Sequence, residues 1–188
     1  MASQSAVFID RDGTIIEDTN YIRDPKDVKL IPGAALALRE MSQKGYLVFV
    51  ISNQAGVAKG LIRDTEFWEV HLRVCELLME EQVKVEEFLY CFHHPQDGCA
   101  CRKPRAGLVP KVHHGEKILF EKSFTIGDKE ADVLLADTIG ATGCLVLTGQ
   151  GKEQLERLKH RDLTRYKIAN DLSQMAGQLP DLSGKVSP

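Results

Sequence analysis

The feature that most restricts the fold is an alternation: short runs of branched and aromatic residues are separated by longer segments whose apolar residues recur with helical period. Strands buried on both faces of a parallel sheet need such apolar runs, and each crossover needs a helix to bring the chain back, so the pattern is that of βαβ units. The runs predict strands at Ala6 to Asp10, Tyr46 to Ser52, Phe88 to Phe92, Ser123 to Gly127 and Gly143 to Leu147, with a short edge strand around Tyr166 to Ala169. Helices are predicted over Ala34 to Lys44, closed by Gly45, and from an N-cap at Asp64 to about Glu81. Others are predicted over Gly107 to about Ile118, Glu130 to Ile139, Lys152 to about His160, and Asp171 to Gln178, leaving Leu179 to Pro188 as a frayed tail. The expected fold is α/β, a three-layer, Rossmann-like parallel sheet with helices on both faces. At 188 residues the chain suits one domain, and nothing between the strands is long enough for a cap domain.

A formal net charge of −3, with acidic and basic residues mixed along the chain, offers no basic stripe for nucleic acid or an anionic membrane. No apolar stretch approaches the ~20 residues of a membrane span. Met1 to Ala6 runs straight into a strand without the features of a secretory signal, so a cytoplasmic location is expected. The expected partner is a small molecule. With no heptad seam or exposed apolar helix in evidence, a monomer is expected.

Two carboxylates, Asp10 and Asp12, stand at the carboxyl end of the first strand in Asp10-Arg11-Asp12-Gly13-Thr14, the place where open α/β sheets bind ligands. A carboxylate nucleophile can take up a phosphoryl group, and a second acid two residues on can protonate the leaving oxygen. Alone, Asp-x-Asp-Gly also fits a calcium-loop fragment or a plain turn. Its context favours phosphate chemistry. Ser52-Asn53-Gln54-Ala55-Gly56 follows the second strand with a hydroxyl and amides that can grip phosphate oxygens, and Asp128 follows the fourth, suited to a hard cation. Arg102 and Lys103 supply positive charge for a transferring phosphoryl group. Asn53, Lys59 and Arg102 lie in loops facing the same crevice and are candidate substrate contacts.

Of five cysteines, Cys91, Cys99 and Cys101 crowd into one segment with His93. Three thiolates and one imidazole suit a closed, tetrahedral, structural zinc. Strand alternation places His93 rather than His94 beside Cys91, and the metal would pin the loop that delivers Arg102 and Lys103. Cys75 and Cys144 read as reduced core thiols. His71, His113 and His114 read as surface residues, and Phe67 and Trp68 as helix packing.

Asp10-Arg11-Asp12-Gly13-Thr14, Ser52, Lys103 and Gly127-Asp128-Lys129-Glu130-Ala131-Asp132 together resemble, in order and setting, the four motifs of the haloacid dehalogenase (HAD) superfamily. The resemblance implies that Asp10 attacks phosphorus and Asp12 acts as general acid and then base. It also implies that Ser52 and Lys103 bind the transferring phosphate, and that Mg2+ is held by Asp10, the Asp12 carbonyl and Asp128. Asn20-Tyr21, Ser52 to Gly60, Cys91-Phe92-His93-His94-Pro95, Cys101-Arg102-Lys103-Pro104 and Leu147-Thr148-Gly149 are similar to the zinc-binding heptose-1,7-bisphosphate 7-phosphatase family, which lacks a cap domain. That family works in making the heptose precursor of bacterial lipopolysaccharide core or of related glycans, and the similarity implies a small phosphorylated metabolite as substrate. Histidinol-phosphate phosphatases resemble the chain in the same motifs and share its short loop between His93 and Cys99, although no dehydratase domain follows. Lys59 stands where heptose enzymes often carry arginine. DNA-end 3'-phosphatases and a non-catalytic HAD-fold binding module are the readings from other classes. The first should show a basic stripe, and the second has no need to keep Asp10, Asp12, Lys103 and Asp128 together.

Overall fold

Ala6, Val7, Phe8 and Ile9 are all buried, so the strand they form must be covered on both faces and lie inside a sheet. The computed structural model, which describes residues 3–110, 112–113 and 116–184, places it there. In chain order the elements are β1 (Ser3–Gln4), β2 (Ala6–Ile9), α1 (Ala34–Gln43), β3 (Leu47–Asn53), α2 (Ala55–Ala58), α3 (Asp64–Glu80), β4 (Glu87–Cys91), β5 (Val112–His113) and β6 (Glu116–Ile118). They continue as β7 (Phe124–Gly127), α4 (Glu130–Ile139), β8 (Thr142–Val146), α5 (Gly151–Leu158), β9 (Lys167–Ala169) and α6 (Leu172–Gln178). The main sheet runs β4-β3-β2-β7-β8-β9, parallel throughout. The six strands expected from sequence are therefore formed.

Because side chains alternate along a strand, the sheet divides its apolar residues between two cores. Val7, Ile9, Val48 and Val50 meet Leu38 and Met41 of α1, Val70 and Val74 of α3, and Met175 of α6. Ala6, Phe8, Phe49 and Ile51 turn to the other face, against Leu135 of α4 with Val109 and Ile118. Helices thus cover both faces, and among the described residues no cap stands over the strand ends. Among the described residues no helix is long and apolar enough to cross a membrane.

The helix expected over Gly107 to Ile118 does not form. β5 and β6 pair antiparallel, and β1 adds to β6 in parallel, making a separate three-stranded sheet. Pro110 has no amide hydrogen for a helix interior and biases Val109 toward extended backbone, while burial of Ile118 against the second core rewards a strand. His113, expected at the surface, is half-buried: its ring meets Phe49 edge-on at 5.1 Å and its Nε2 lies 3.2 Å from Glu86. His114 lies outside the described residues. His71 is also half-buried, with Nδ1 2.9 Å from the Tyr90 hydroxyl. Cys144 is buried as expected, whereas Cys75 is only half-buried. Arg63 rather than Asp64 caps α3, its amide donating to Glu66 at 2.8 Å. Trp68, Leu72 and Met79 leave an exposed apolar edge on α3 that the sequence reading did not foresee.

The start of the expected tail is docked, not frayed. Leu179 is buried, the Tyr46 hydroxyl donates to the Pro180 carbonyl at 3.1 Å, and the Leu182 amide donates to the Lys44 carbonyl at 2.9 Å. Lys44 Nζ donates to the carbonyls of Ala176 and Leu179 at 2.6 and 3.2 Å, placing a cation at the negative end of α6. Lys44→Met is expected to lower the free energy of unfolding by about 1–2 kcal/mol. Urea denaturation measures it, and an unchanged midpoint would show that apolar contacts alone hold this segment.

Candidate active site

β2, β3 and β7 end side by side, and Asp10, Ser52 and Asp128 stand at or just beyond their carboxyl ends. The Asp10 amide donates to the Ile126 carbonyl at 2.9 Å, which ties the turn after β2 to β7. Gly13 has φ +84, and a Cβ there would strike the Asp128 carboxylate; only glycine lets this turn approach the third strand end so closely. Lys103 arrives from the loop after β4. Its ammonium, nearly inaccessible to solvent, lies 2.8 Å from Asp10 Oδ1 and 2.6 Å from Asp132 Oδ1. Burial alone would raise the Asp10 pKa, but Lys103 and then Lys129 outweigh it and hold the carboxyl below its ordinary value.

Asp12 is held from two sides. Gln54 donates through Nε2 to Asp12 Oδ2 at 2.6 Å and to Ser52 Oγ at 2.9 Å. Arg11 donates from Nε and Nη2 to Asp12 Oδ1 at 3.1 and 3.0 Å. Arg11 is 1% exposed, with its guanidinium 5.4 Å from the Phe67 ring centre and 5.8 Å from that of Tyr90. Its Nη1 has no hydrogen-bond partner, and the two ring faces stabilise the buried charge in place of one.

Asp10, the Asp12 carbonyl and Asp128 form a set of hard oxygen donors. Asp128 is fully buried, and its Oδ2 accepts from the Gln150 amide at 2.8 Å while its Oδ1 has no hydrogen-bond partner. Burial, reinforced by the Asp10 charge, pushes the Asp128 carboxyl up to about 7. A buried carboxylate whose Oδ1 meets only the charge of the Lys129 ammonium, at 3.4 Å and without a hydrogen bond, beside a second carboxylate and a carbonyl, fits a magnesium ion. Asp132, given no role from sequence, lies close enough to Asp10 and Asp128 to join a cation site. Both its oxygens are already engaged, by Lys103 and by the Lys129 amide at 3.0 Å.

The cleft in front of these groups has a volume of about 200 Å³ and is lined in part by Arg11, Asp12, Asn53, Lys59, Arg102 and Lys129. All three expected substrate contacts therefore reach it, by different arrangements. Asn53 clamps the Lys103 backbone, accepting from its amide at 3.0 Å and donating to its carbonyl at 3.2 Å. Lys59 donates to the Tyr21 hydroxyl at 2.9 Å, and Arg102 keeps one buried nitrogen without a partner. The parts played by Arg11, Gln54 and Lys129 escaped the sequence reading. The one available signal was a charged residue between two carboxylates at a buried strand end, which must find a counter-charge.

Cys91, His93, Cys99 and Cys101 converge as the spacing suggested. Cys101 Sγ lies 3.3 Å from Cys91 Sγ, 3.5 Å from Cys99 Sγ and 3.1 Å from His93 Nδ1, with 3.7 Å between Cys91 and Cys99. Thiolates bound tetrahedrally to zinc at ~2.3 Å stand roughly 3.7 Å apart, so the donor set fits that ion. His94 is turned to the loop, its Nδ1 accepting from the Gln96 amide at 3.3 Å.

Residues 100–175 match the family model described as "HAD-hyrolase-like". D-glycero-beta-D-manno-heptose-1,7-bisphosphate 7-phosphatase of Pseudomonas putida is 34% identical over 152 residues, 80% of this chain and 87% of that protein. The protein of the same name in Haemophilus ducreyi is 36% identical over 155 residues, 78% of this chain and 85% of that one. A crystal structure of D,D-heptose 1,7-bisphosphate phosphatase from B. bronchiseptica, complexed with magnesium and phosphate, aligns with a TM-score of 0.79 at 26% identity, covering 93% of this chain and 97% of the other. Fold and comparisons together define a phosphatase of the HAD type. Within that class the chain belongs to the D-glycero-D-manno-heptose-1,7-bisphosphate 7-phosphatase family.

The grip of Arg11 on Asp12 predicts that Arg11→Met will lower kcat by about tenfold to hundredfold, with KM changed far less, because a misaligned acid slows proton transfer without loosening binding. Steady-state kinetics decides it; a rise in KM at constant kcat would make Arg11 a binding residue instead. The sulfur and imidazole geometry predicts about one zinc per chain by elemental analysis. Cys101→Ser should lose that zinc and the thermal stability that depends on it, and a variant with normal melting and turnover would contradict the site.

Proposed function

We propose that the chain removes the 7-phosphate of D-glycero-D-manno-heptose 1,7-bisphosphate through an aspartyl-phosphate on Asp10. The observation that carries the chemistry is the buried Asp10 carboxylate held ionised by Lys103, with the restrained Asp12 carboxyl two residues on lining a polar cleft. In the first step an Asp10 oxygen forms a bond to phosphorus as the bond to the leaving oxygen breaks, and Asp12 gives that oxygen its proton. In the second, Asp12 takes a proton from a water that attacks the phosphorus, and the Asp10 carboxylate leaves. Ser52 and Lys103 hold the non-bridging oxygens through both steps. The Asp10 and Asp128 carboxylates and the Asp12 carbonyl would hold magnesium, which would offset phosphate charge that otherwise repels the incoming carboxylate. The zinc loop holds Arg102 and Lys103 at the cleft.

Two facts support the sugar bisphosphate as substrate. Relatives sharing about a third of their residues carry that name, and the open cleft offers Lys59 and Arg102 beyond the reacting group for a second phosphate. The short loop between His93 and Cys99 is the feature that favours histidinol phosphate instead. Phosphate release from the two compounds, with magnesium and at matched concentrations, separates them. A preference of a hundredfold or more for the bisphosphate, about 2.7 kcal/mol in the transition state, is expected. The reverse preference would move the enzyme to histidinol phosphate with its chemistry unchanged. In the same assay Asp10→Asn should abolish release, and activity retained within about tenfold would refute the nucleophile.

A further inference from the structure

Lys129 makes no bond to substrate in the steps proposed above; beside its charge effect on Asp10, its ammonium faces the oxygens assigned to magnesium. Nζ lies 3.2 Å from the Asp12 carbonyl, 3.4 Å from Asp128 Oδ1 and 3.8 Å from Asp10 Oδ2. A fourth oxygen, Oδ2 of Asp18, stands 3.4 Å away on the cleft side, where the Gln150 side chain also reaches it at 3.5 Å. Lys129 is the residue before α4, and its side chain is 32% exposed, which leaves solvent beside the ammonium on the cleft side. Lys103, by contrast, is wholly buried between Asp10 and Asp132.

We propose that Lys129 is a built-in competitor of magnesium: in the metal-free protein its ammonium neutralises the Asp10, Asp12 and Asp128 oxygens, and the incoming ion displaces it toward Asp18. This rests on the magnesium site proposed above and adds to it a residue that sets the site's affinity. Clustered buried carboxylates repel one another strongly when no cation lies between them. A tethered ammonium relieves that repulsion in the free protein, and magnesium must then bind against a charge already in place. Asp18 makes the exchange possible because the displaced ammonium keeps one anionic partner.

The test is calorimetric titration of MgCl2 into the full-length chain, dialysed free of magnesium without chelator so that zinc is retained, with thermal melting run alongside. Lys129→Met should tighten magnesium binding by about tenfold or more, lower the melting temperature without magnesium, and enlarge the rise that magnesium causes. Lys129→Gln should behave alike if the missing charge is the cause. Asp18→Asn should weaken magnesium binding in the wild-type background and have no effect once Lys129 is Met. Unchanged or weaker magnesium binding in both Lys129 variants would overturn the proposal, as would an equal effect of Asp18→Asn in both backgrounds, which would make Asp18 act on the ion directly. Binding in the variants but not in the wild type would support it in its strongest form. Binding in none of these proteins would refute the magnesium site itself, and this inference with it.

Discussion

The interaction on which the site depends is the buried bridge from Lys103 to Asp10 and Asp132. It joins the turn after β2, the loop after β4 and the first turn of α4 at a point almost closed to water, where Lys103, Asp10 and Asp132 side chains are 2, 4 and 3% exposed. Removing three charges from solvent costs several kcal/mol per ion, and mutual attraction offsets this only where geometry is good and the remaining donors are satisfied. Here the third donor of the ammonium goes to the Ile51 carbonyl, so the lysine is fully used by the free protein and must exchange one of these partners for a phosphate oxygen when substrate binds. The outcome is positional. A carboxylate at the end of a central strand is fixed in direction, kept ionised and presented to the cleft before any substrate arrives, which is the preorganisation that phosphoryl transfer rewards.

Such a bridge needs a rigid loop to deliver its lysine, and two devices supply it. Asn53, at the end of β3, clamps the Lys103 backbone through both its amide and its carbonyl. Twelve positions earlier in the chain Cys91 begins the cluster of thiols that would close on zinc, and the Arg105 guanidinium donates to the Cys99 carbonyl at 2.7 Å from the far side of Lys103. Asp12 is treated in the same way from the opposite side, by Gln54 and by an arginine resting against two aromatic rings. The reacting groups are thus supported by side chains whose own positions are determined by packing, in a chain that has no cap to close over them.

Strands were legible because burial on both faces writes a continuous apolar run, and the carboxylates were legible because they follow those runs directly. The segment from Gly107 to Ile118 misled because Leu108, Val109 and Val112 have helix-like spacing. What decided its structure was the distant pair Phe8 and Phe49, against which Ile118 is buried. Residues near Leu179 read as a polar end because the partners that hold them, Lys44 and Tyr46, are far away in sequence. Arg11 and Lys129 sit within motifs that stand out in the sequence, but which carboxylate each cation meets is a property of three strand ends brought together. Local pattern reports an element and its ends; it carries no record of which charges become neighbours across a sheet.

The same division separates chemistry from specificity. Asp10, Asp12, Lys103 and Asp128 sit on the sheet and the turns locked to it, whereas the outer wall of the cleft is built from the segment after β2 and from α2. There Asn20 and Tyr21 adopt consecutive left-handed conformations, with φ of 57 and 61, which costs non-glycine residues energy and persists only where surrounding contacts enforce it. Tyr21 packs so closely on Gly56 that a Cβ there would collide with its ring, and its hydroxyl receives Lys59, whose ammonium also lies 5.4 Å from the ring centre. The strained backbone therefore aims one aromatic ring at the cleft, and that ring aims a lysine. This wall can therefore vary in sequence without touching the bridge beneath it, because Asn20, Tyr21 and Lys59 make none of the contacts that hold Lys103, Asp10 and Asp132.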